Sequence, residues 1–176
     1  MYPLPKSGLG IFAQPSTSKL SLISLDIPKP ENKELLSRAL ALLSRRDTPR
    51  AEFIGKMIAA GYEKSDIEGA ADWCQAQGFL DEGRYAEGAA RRLSSKYGTS
   101  RVVRALRDKG VTEQAIADVT PDLKENEMAQ ARAIWIRKFR EPTADANAKS
   151  KQIRYLQSRG FSFEIIKRVI RGDEDA

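Results

Sequence analysis

The chain has 176 residues, 41% of them hydrophobic and 31% charged, and carries a net charge of +6 with no histidine and one cysteine, Cys74. That composition excludes an internal disulfide, a histidine-based catalytic triad, a Cys-His pair and a thiolate–imidazole zinc site. No stretch approaches the roughly 20 apolar residues of a membrane span, residues 1–14 lack the apolar core of a secretory signal, and a lone cysteine suits a reducing cytoplasm.

Residues 1–30 hold five of the eight prolines (Pro3, Pro5, Pro15, Pro28 and Pro30) among Ser, Thr and Gly. Proline lacks an amide donor and blocks helix interiors, so this segment reads as an extended, disordered arm. Gly8, Gly10 and Ala13 fit a G-x-G-x-x-A spacing. No strand precedes them and Pro15 interrupts the helix that should follow, so a dinucleotide site is rejected.

From Glu31 onward the pattern is helical, with little period-two alternation and no Asn-Gly or Asp-Gly hairpin turn; the fold class is all-α. The organising signal is repetition. Ala60-Gly61-Tyr62, Lys109-Gly110-Val111 and Arg159-Gly160-Phe161 recur at glycine spacings of 49 and 50. Each glycine fits the left-handed position just past a helix end. Three three-helix units follow. Unit one (31–80) has helices at about 33–46, 49–60 and 66–77; unit two (81–124) at about 82–97, 100–109 and 113–119; unit three (125–172) at about 126–140, 144–159 and 163–171. Residues 173–176 form an acidic tail. Short bundles bury little alone, so the three units are expected to lean on one another in an elongated, curved stack.

Helix-start signals accompany the repeat. Thr48-Pro49 opens the second helix, with Pro49 at its first position. Ser65-Asp66-Ile67-Glu68 reads as a capping box, and Thr112 and Ser162 as caps. Val111 with Ile116, and Phe161 with Ile166, have staple spacing. Asp81 and Glu82 are the carboxylates that catalysis would need in a chain without histidine. A cap and a first-turn acid explain them without a partner base or metal cluster, so neither catalysis nor a cofactor is expected.

Charge is segregated along the chain. Residues 84–109 hold eight basic groups against Glu87 and Asp108, and residues 132–171 hold eleven against Glu141, Asp145 and Glu164, with an acidic stretch over 110–131 between them. At 100° per residue, Val102, Val103 and Leu106 share one side of their helix and Arg101, Arg104 and Arg107 the other, with no acid on that face to offset them. Arg84, Arg91, Arg92, Lys96 and Lys109 extend the cationic surface of unit two; Lys149, Lys151, Arg154 and Arg159 form that of unit three. These twelve are the candidate residues for a polyanionic partner. Lys167, Arg168 and Arg171 read as an ordinary solvated last turn. The aromatics read as core, and Cys74 as a small buried hydrophobe.

The junction Gly78-Phe79-Leu80-Asp81-Glu82-Gly83-Arg84-Tyr85-Ala86 resembles the G-[YF]-[LI]-[DN]-D-x-R-[FY]-A signature of the RecX family. Ala39-Leu40-Ala41-Leu42-Leu43-Ser44-Arg45-Arg46 in unit one and Arg104-Ala105-Leu106-Arg107-Asp108-Lys109-Gly110 in unit two agree with it. So does Lys149-Ser150-Lys151-Gln152-Ile153-Arg154-Tyr155-Leu156, with Arg159-Gly160-Phe161, in unit three. The likeness covers about 34–171 and leaves out the arm. Glu82 stands where the family commonly has Asp. The resemblance implies a cytoplasmic, non-enzymatic monomer that lies in the groove of the RecA–DNA filament. There it restrains ATP hydrolysis, strand exchange and support of LexA cleavage, touching DNA weakly and without sequence preference. The alternative is a nucleic-acid-binding helical module acting without RecA; a carboxylate hydrolase is least favoured.

Overall fold

The computed structural model describes residues 27–172. Most of the expected arm, and the acidic tail, lie outside the described residues. Those described form nine helices and no strand: α1 (Lys33–Leu43), α2 (Arg50–Ala59), α3 (Lys64–Ala76), α4 (Glu82–Ser94), α5 (Thr99–Asp108), α6 (Glu113–Glu125), α7 (Glu127–Phe139), α8 (Ala146–Ser158) and α9 (Phe163–Arg171).

The helices pack in threes, because each carries an apolar stripe at three- and four-residue spacing. Leu35, Ala39, Phe53, Met57, Ile67 and Cys74 build a core from α1–α3. Ala86, Ala89, Val102, Leu106, Ile116 and Val119 build a second from α4–α6. Ala131, Ile134, Trp135, Leu156, Ile166 and Val169 build a third from α7–α9. Burial pushes the Cys74 thiol up to about 11, so it packs as a hydrophobe and is no nucleophile. In the third core the Trp135 indole N–H donates to the buried Gln152 side chain (3.1 Å), satisfying both.

One turn closes the middle helix of every unit. Gly61, Gly110 and Gly160 have φ of 89°, 72° and 84°. The next residues, Tyr62, Val111 and Phe161, donate back to the carbonyls of Met57, Leu106 and Leu156 at 3.3, 3.2 and 3.3 Å. The glycine amides donate to Ile58, Arg107 and Gln157 at 2.9, 2.8 and 2.9 Å. These paired bonds make a Schellman ending, which requires a left-handed residue at its centre. Val111 and Ile116, like Phe161 and Ile166, are buried together as the staple spacing predicts.

The turn also dictates where the next helix begins, with the cap two residues past the glycine at Glu63, Thr112 and Ser162. This register corrects two expected caps. Ser65 lies inside α3, whose cap Glu63 makes no side-chain bond, and Glu68 pairs with Lys64 (3.7 Å) instead of completing a capping box. Thr112 holds the cap position without a side-chain bond. Asp81 and Ser162 cap as expected, accepting from Arg84 (2.9 Å) and Ile165 (3.3 Å). Pro49 is itself the cap of α2, one position earlier than expected. The largest departure is α6, which runs through Pro121 to Glu125 where a stop at Val119 was expected. An internal proline costs about 3 kcal/mol. The extension places Leu123 in the second core beside Val119, and that burial offsets part of the cost.

Consecutive units meet through a repeated joint. Glu82 and Glu127 open α4 and α7 and turn back to the start of the preceding unit's middle helix. Glu82 Oε1 accepts from the Arg50 amide (3.1 Å), and Glu127 Oε1 from the Thr99 amide (2.9 Å). First-turn amides have no intrahelical partner, so a carboxylate there fills an orphan donor and meets the positive end of the dipole. The Schellman glycine of the following unit lies against the same helix start. A Cβ on Gly110 would stand 2.5 Å from the Ala51 Cβ, and one on Gly160 2.6 Å from the Arg101 Cβ. Gly61, with no described unit before it, has nothing within 4 Å. At the second joint Gly98 also donates to the Arg159 carbonyl (2.8 Å), and a Cβ there would reach 2.5 Å from the Gly160 carbonyl oxygen.

Alanine substitution separates the two demands on these glycines. Gly61→Ala carries only the left-handed penalty of about 1–2 kcal/mol. Gly160→Ala adds a steric clash worth roughly 1–3 kcal/mol more. Urea denaturation should therefore rank Gly160→Ala below Gly61→Ala in stability; equal losses would contradict the close approach.

Candidate functional site

The twelve cations picked from sequence do not form one surface. The joints take several of them. Arg84 Nε is 2.6 Å from Asp47 and Nη1 3.5 Å from Asp81, and its guanidinium also reaches the Gly78 carbonyl (3.4 Å), holding α4 to the end of unit one. The Asp47 hydrogen bond raises its already high pKa, keeping the charge fixed. Lys109 points back to unit one, with Nζ 4.0 Å from Glu52. At the second joint two arginines cross in opposite directions. Arg101 donates to the Ser158 carbonyl (2.6 Å) over the Tyr97 ring, and Arg159 donates to the Lys96 carbonyl (2.9 Å) over the Tyr155 ring. Each guanidinium thereby lies 4.4–4.5 Å above an aromatic face, adding a cation–π attraction to the bond it makes.

The row Arg101, Arg104 and Arg107 is split, and the expectation that no acid offsets it is corrected. Arg107 forms a bidentate pair with Glu113 (2.7 and 2.9 Å) across the Schellman turn, and this bond raises its pKa while holding the Glu113 carboxyl below its usual range. Arg104 Nε lies 4.0 Å from Asp108, a loose contact between exposed side chains that contributes little. Arg101 and Arg104 face a cleft of about 700 Å³ between units two and three, with Tyr97, Asp108, Gln157 and Ser158 on its walls. Arg107 faces away, lining a second groove with Val103 and Lys124.

Arg91 and Arg92 diverge as well. Arg92 joins Arg46, Asp47, Arg84 and Tyr85 around a cleft of about 430 Å³ at the first joint. Arg91 lines a groove with Glu87, Asp118 and Asp122. Among the described residues Arg91, Arg92, Lys96, Lys149, Lys151 and Arg154 make no ion pair within 4.0 Å. They are exposed on α4, on α8 and in the α4–α5 loop. Of the twelve candidates, these six with Arg104 are the ones the fold leaves available to a partner.

Comparison with known proteins follows the same chain segment. The family model described as "RecX, third three-helix domain" matches residues 125–170. The protein named "Regulatory protein RecX" of Ralstonia nicotianae is 36% identical over 138 residues, covering 78% of this chain and 87% of that one. Its namesake in Herbaspirillum seropedicae is 36% identical over 152 residues, covering 85% and 98%. The chain belongs to the RecX family. The crystal structure of RecX from Lactobacillus salivarius superimposes with a TM-score of 0.69 at 18% identity, covering 79% of this chain and 94% of that one, and shares the fold. The relatives are named as regulatory proteins, and this chain is a regulatory protein of the RecX family. No helix among the described residues is long and apolar enough to cross a membrane.

Within this RecX-family chain, two cationic groups lie outside the twelve candidates. Arg46 reaches the first joint from unit one, and Lys167 with Arg171 flanks Lys149 beside the exposed Phe163. The second group carried a signal, since Phe163, Ile166, Lys167 and Ile170 recur on one side of α9 at helical spacing.

Glu52 is the electrostatic hub of the first joint, pairing with Arg46, Lys56 (2.7 Å) and Lys109 (4.0 Å). The Lys56 hydrogen bond holds its carboxyl below the usual range; burial opposes this, and charge attraction from Arg46, Lys56 and Lys109 adds to it. A depressed folded pKa gives stability that is present above the unfolded value near 4.5 and is lost as pH falls through the folded one. Glu52→Gln should therefore flatten the fall in melting temperature as pH drops below about 4.5. An unchanged acid slope would contradict the hub.

Proposed function

We propose that this chain regulates the RecA recombinase by lying along the RecA–DNA filament and inhibiting its ATPase, strand-exchange and co-protease activities, within DNA repair and the SOS response. It acts in the cytoplasm as a monomer and without catalysis. The observation that carries this reading is the alignment with proteins named regulatory protein RecX across about four-fifths of the chain. The geometry supports it physically. Units spanning 31–80, 81–124 and 125–172, placed end to end by two similar joints, suit a partner whose own binding surface repeats. Cations left without internal partners offer sequence-independent attraction to phosphate or acidic surface, felt over about a Debye length of 10 Å in moderate salt.

The partner surface is assigned to Arg92, Lys96 and Arg104 in unit two and to Lys149, Lys151 and Arg154 in unit three. Arg84, Arg101, Arg107, Lys109 and Arg159 take the joints and turns, and Arg91 opposes the acidic groove. Reversing Arg101 would confuse lost binding with a broken joint, so the test uses the unpaired cations. Titration into preformed RecA–DNA filaments should show Lys151→Glu/Arg154→Glu and Arg92→Glu/Lys96→Glu inhibiting ATP hydrolysis about tenfold less potently, with helical circular dichroism unchanged. The exchanged pair Arg107→Glu/Glu113→Arg should inhibit like the unaltered chain. Undiminished inhibition by both reversed variants rejects the assigned surface. Inhibition that vanishes when excess DNA removes competition supports the module acting on nucleic acid alone.

A further inference from the structure

The third unit has an apolar surface that neither joint uses. α9 buries Ile166 and Val169, yet Phe163 at its first position is 63% exposed. Phe163, Ile166, Lys167 and Ile170 stand on one side of the helix, since positions three, four and seven apart coincide in azimuth. Together with Lys149 and Ile153 of α8, and with Arg171, they line a cleft of about 210 Å³. Its walls are aliphatic or aromatic and its rim is cationic; no acid, amide or hydroxyl side chain lines it. Among the described residues none of the three cations forms an ion pair within 4.0 Å.

We infer that this cleft docks an acidic peptide segment of a partner protein. One bulky apolar side chain of the segment sits against Phe163, Ile153 and Ile170, and flanking carboxylates meet Lys149, Lys167 and Arg171. Charge and wall chemistry choose this occupant. An apolar anchor leaves no polar group to satisfy inside the cleft, whereas a nucleobase would press its exocyclic amine and ring nitrogens against isoleucine walls that offer only cationic donors at the rim. Stacking sites for bases use aromatic platforms with polar neighbours, and here a single phenylalanine faces aliphatic side chains. The chain's own segments outside the described residues fit poorly by composition. Residues 1–26 set Lys6 and Lys19 against Asp26 alone, and residues 173–176 (Asp173, Glu174, Asp175 and Ala176) contain no bulky apolar side chain. An apolar anchor ringed by opposite charges is the usual anatomy of a small peptide site, the anchor giving affinity and the rim giving orientation.

The proposal is independent of the RecA reading, because its test contains no RecA. The probe is a short fluorescein-labelled peptide of Asp and Glu with one central Leu, followed by anisotropy at two salt concentrations. The unaltered chain is expected to bind it more weakly at high salt, and to bind the Leu→Ala peptide about tenfold less well. Phe163→Ala and Lys167→Glu/Arg171→Glu should each lose about tenfold with helical content unchanged, since all three residues are exposed. Arg38→Glu, exposed on α1 of unit one and outside the cleft lining, should bind as the unaltered chain does. Equal affinity for the two peptides, or full binding by Phe163→Ala, overturns the site. So does peptide binding confined to a chain ending at Gly172, which would make residues 173–176 the occupant. Binding of oligothymidine that Phe163→Ala abolishes, with no peptide binding, assigns the cleft to nucleic acid and overturns the proposal as well.

Discussion

A helix begins with amide groups that its own backbone cannot satisfy, and this chain answers that need from the next unit along. The carboxylates of Glu82 and Glu127 reach back to the first amides of α2 and α5. Around each contact the following unit presents a glycine turn so close to the helix start that no side chain fits between them. The glycine is thus fixed twice, by the left-handed turn that ends one helix and by the helix that abuts it. Two such joints in series turn three small bundles, each with its own core, into one assembly. The second joint is the more heavily bonded, with Gly98, Thr99, Ser100, Arg101 and Arg159 all donating across it.

This construction decides how the positive charge is used. Arginine offers several donors on a flat group that also stacks on rings, so it suits a contact that must bind a carbonyl and cover an aromatic at once. Arg101 and Arg159 do both at the second joint, and Arg84 ties Asp47 to Gly78 at the first. Lysine, a solvated point charge on a flexible stem, is left mostly to the outside: Lys96, Lys149 and Lys151 are exposed. The surplus charge therefore serves two ends, holding the units together and leaving a scattered positive field for a partner. A chain with every arginine at the joints would present only its lysines to a partner, and one with none there would have looser joints.

Much of this was legible in the residues. The three glycines at near-equal spacing announced the Schellman turns, and the apolar residues after them announced the staples, because both depend on neighbours within one helical turn. The three-unit fold and the family followed from those local signals and the motif at 78–86. Ser65 misled because cap chemistry was weighed without the turn register, which places Glu63 at the cap. Helix α6 outruns its expected end at Val119 because Leu123, whose burial belongs to tertiary packing, carries no local signal. The cationic row was least legible. Arg107 finds Glu113 only because the Schellman turn folds one helix start back on the previous helix end, and Arg101 finds Ser158 only once two units are docked. Glu82 showed its local role as a first-turn acid, but its bond to Arg50 spans 32 residues and has no sequence signature.

Amide hydrogen exchange at the first turns of the middle helices tests this construction most directly. The Arg50 and Thr99 amides should be protected, although such positions usually exchange freely, and Glu82→Ala and Glu127→Ala should each expose the one that its carboxylate covers while the helix interiors stay protected. If both amides exchange as fast as that of Lys64, whose helix has no side-chain cap, and do so whether or not the glutamates are present, the units are not joined in this way.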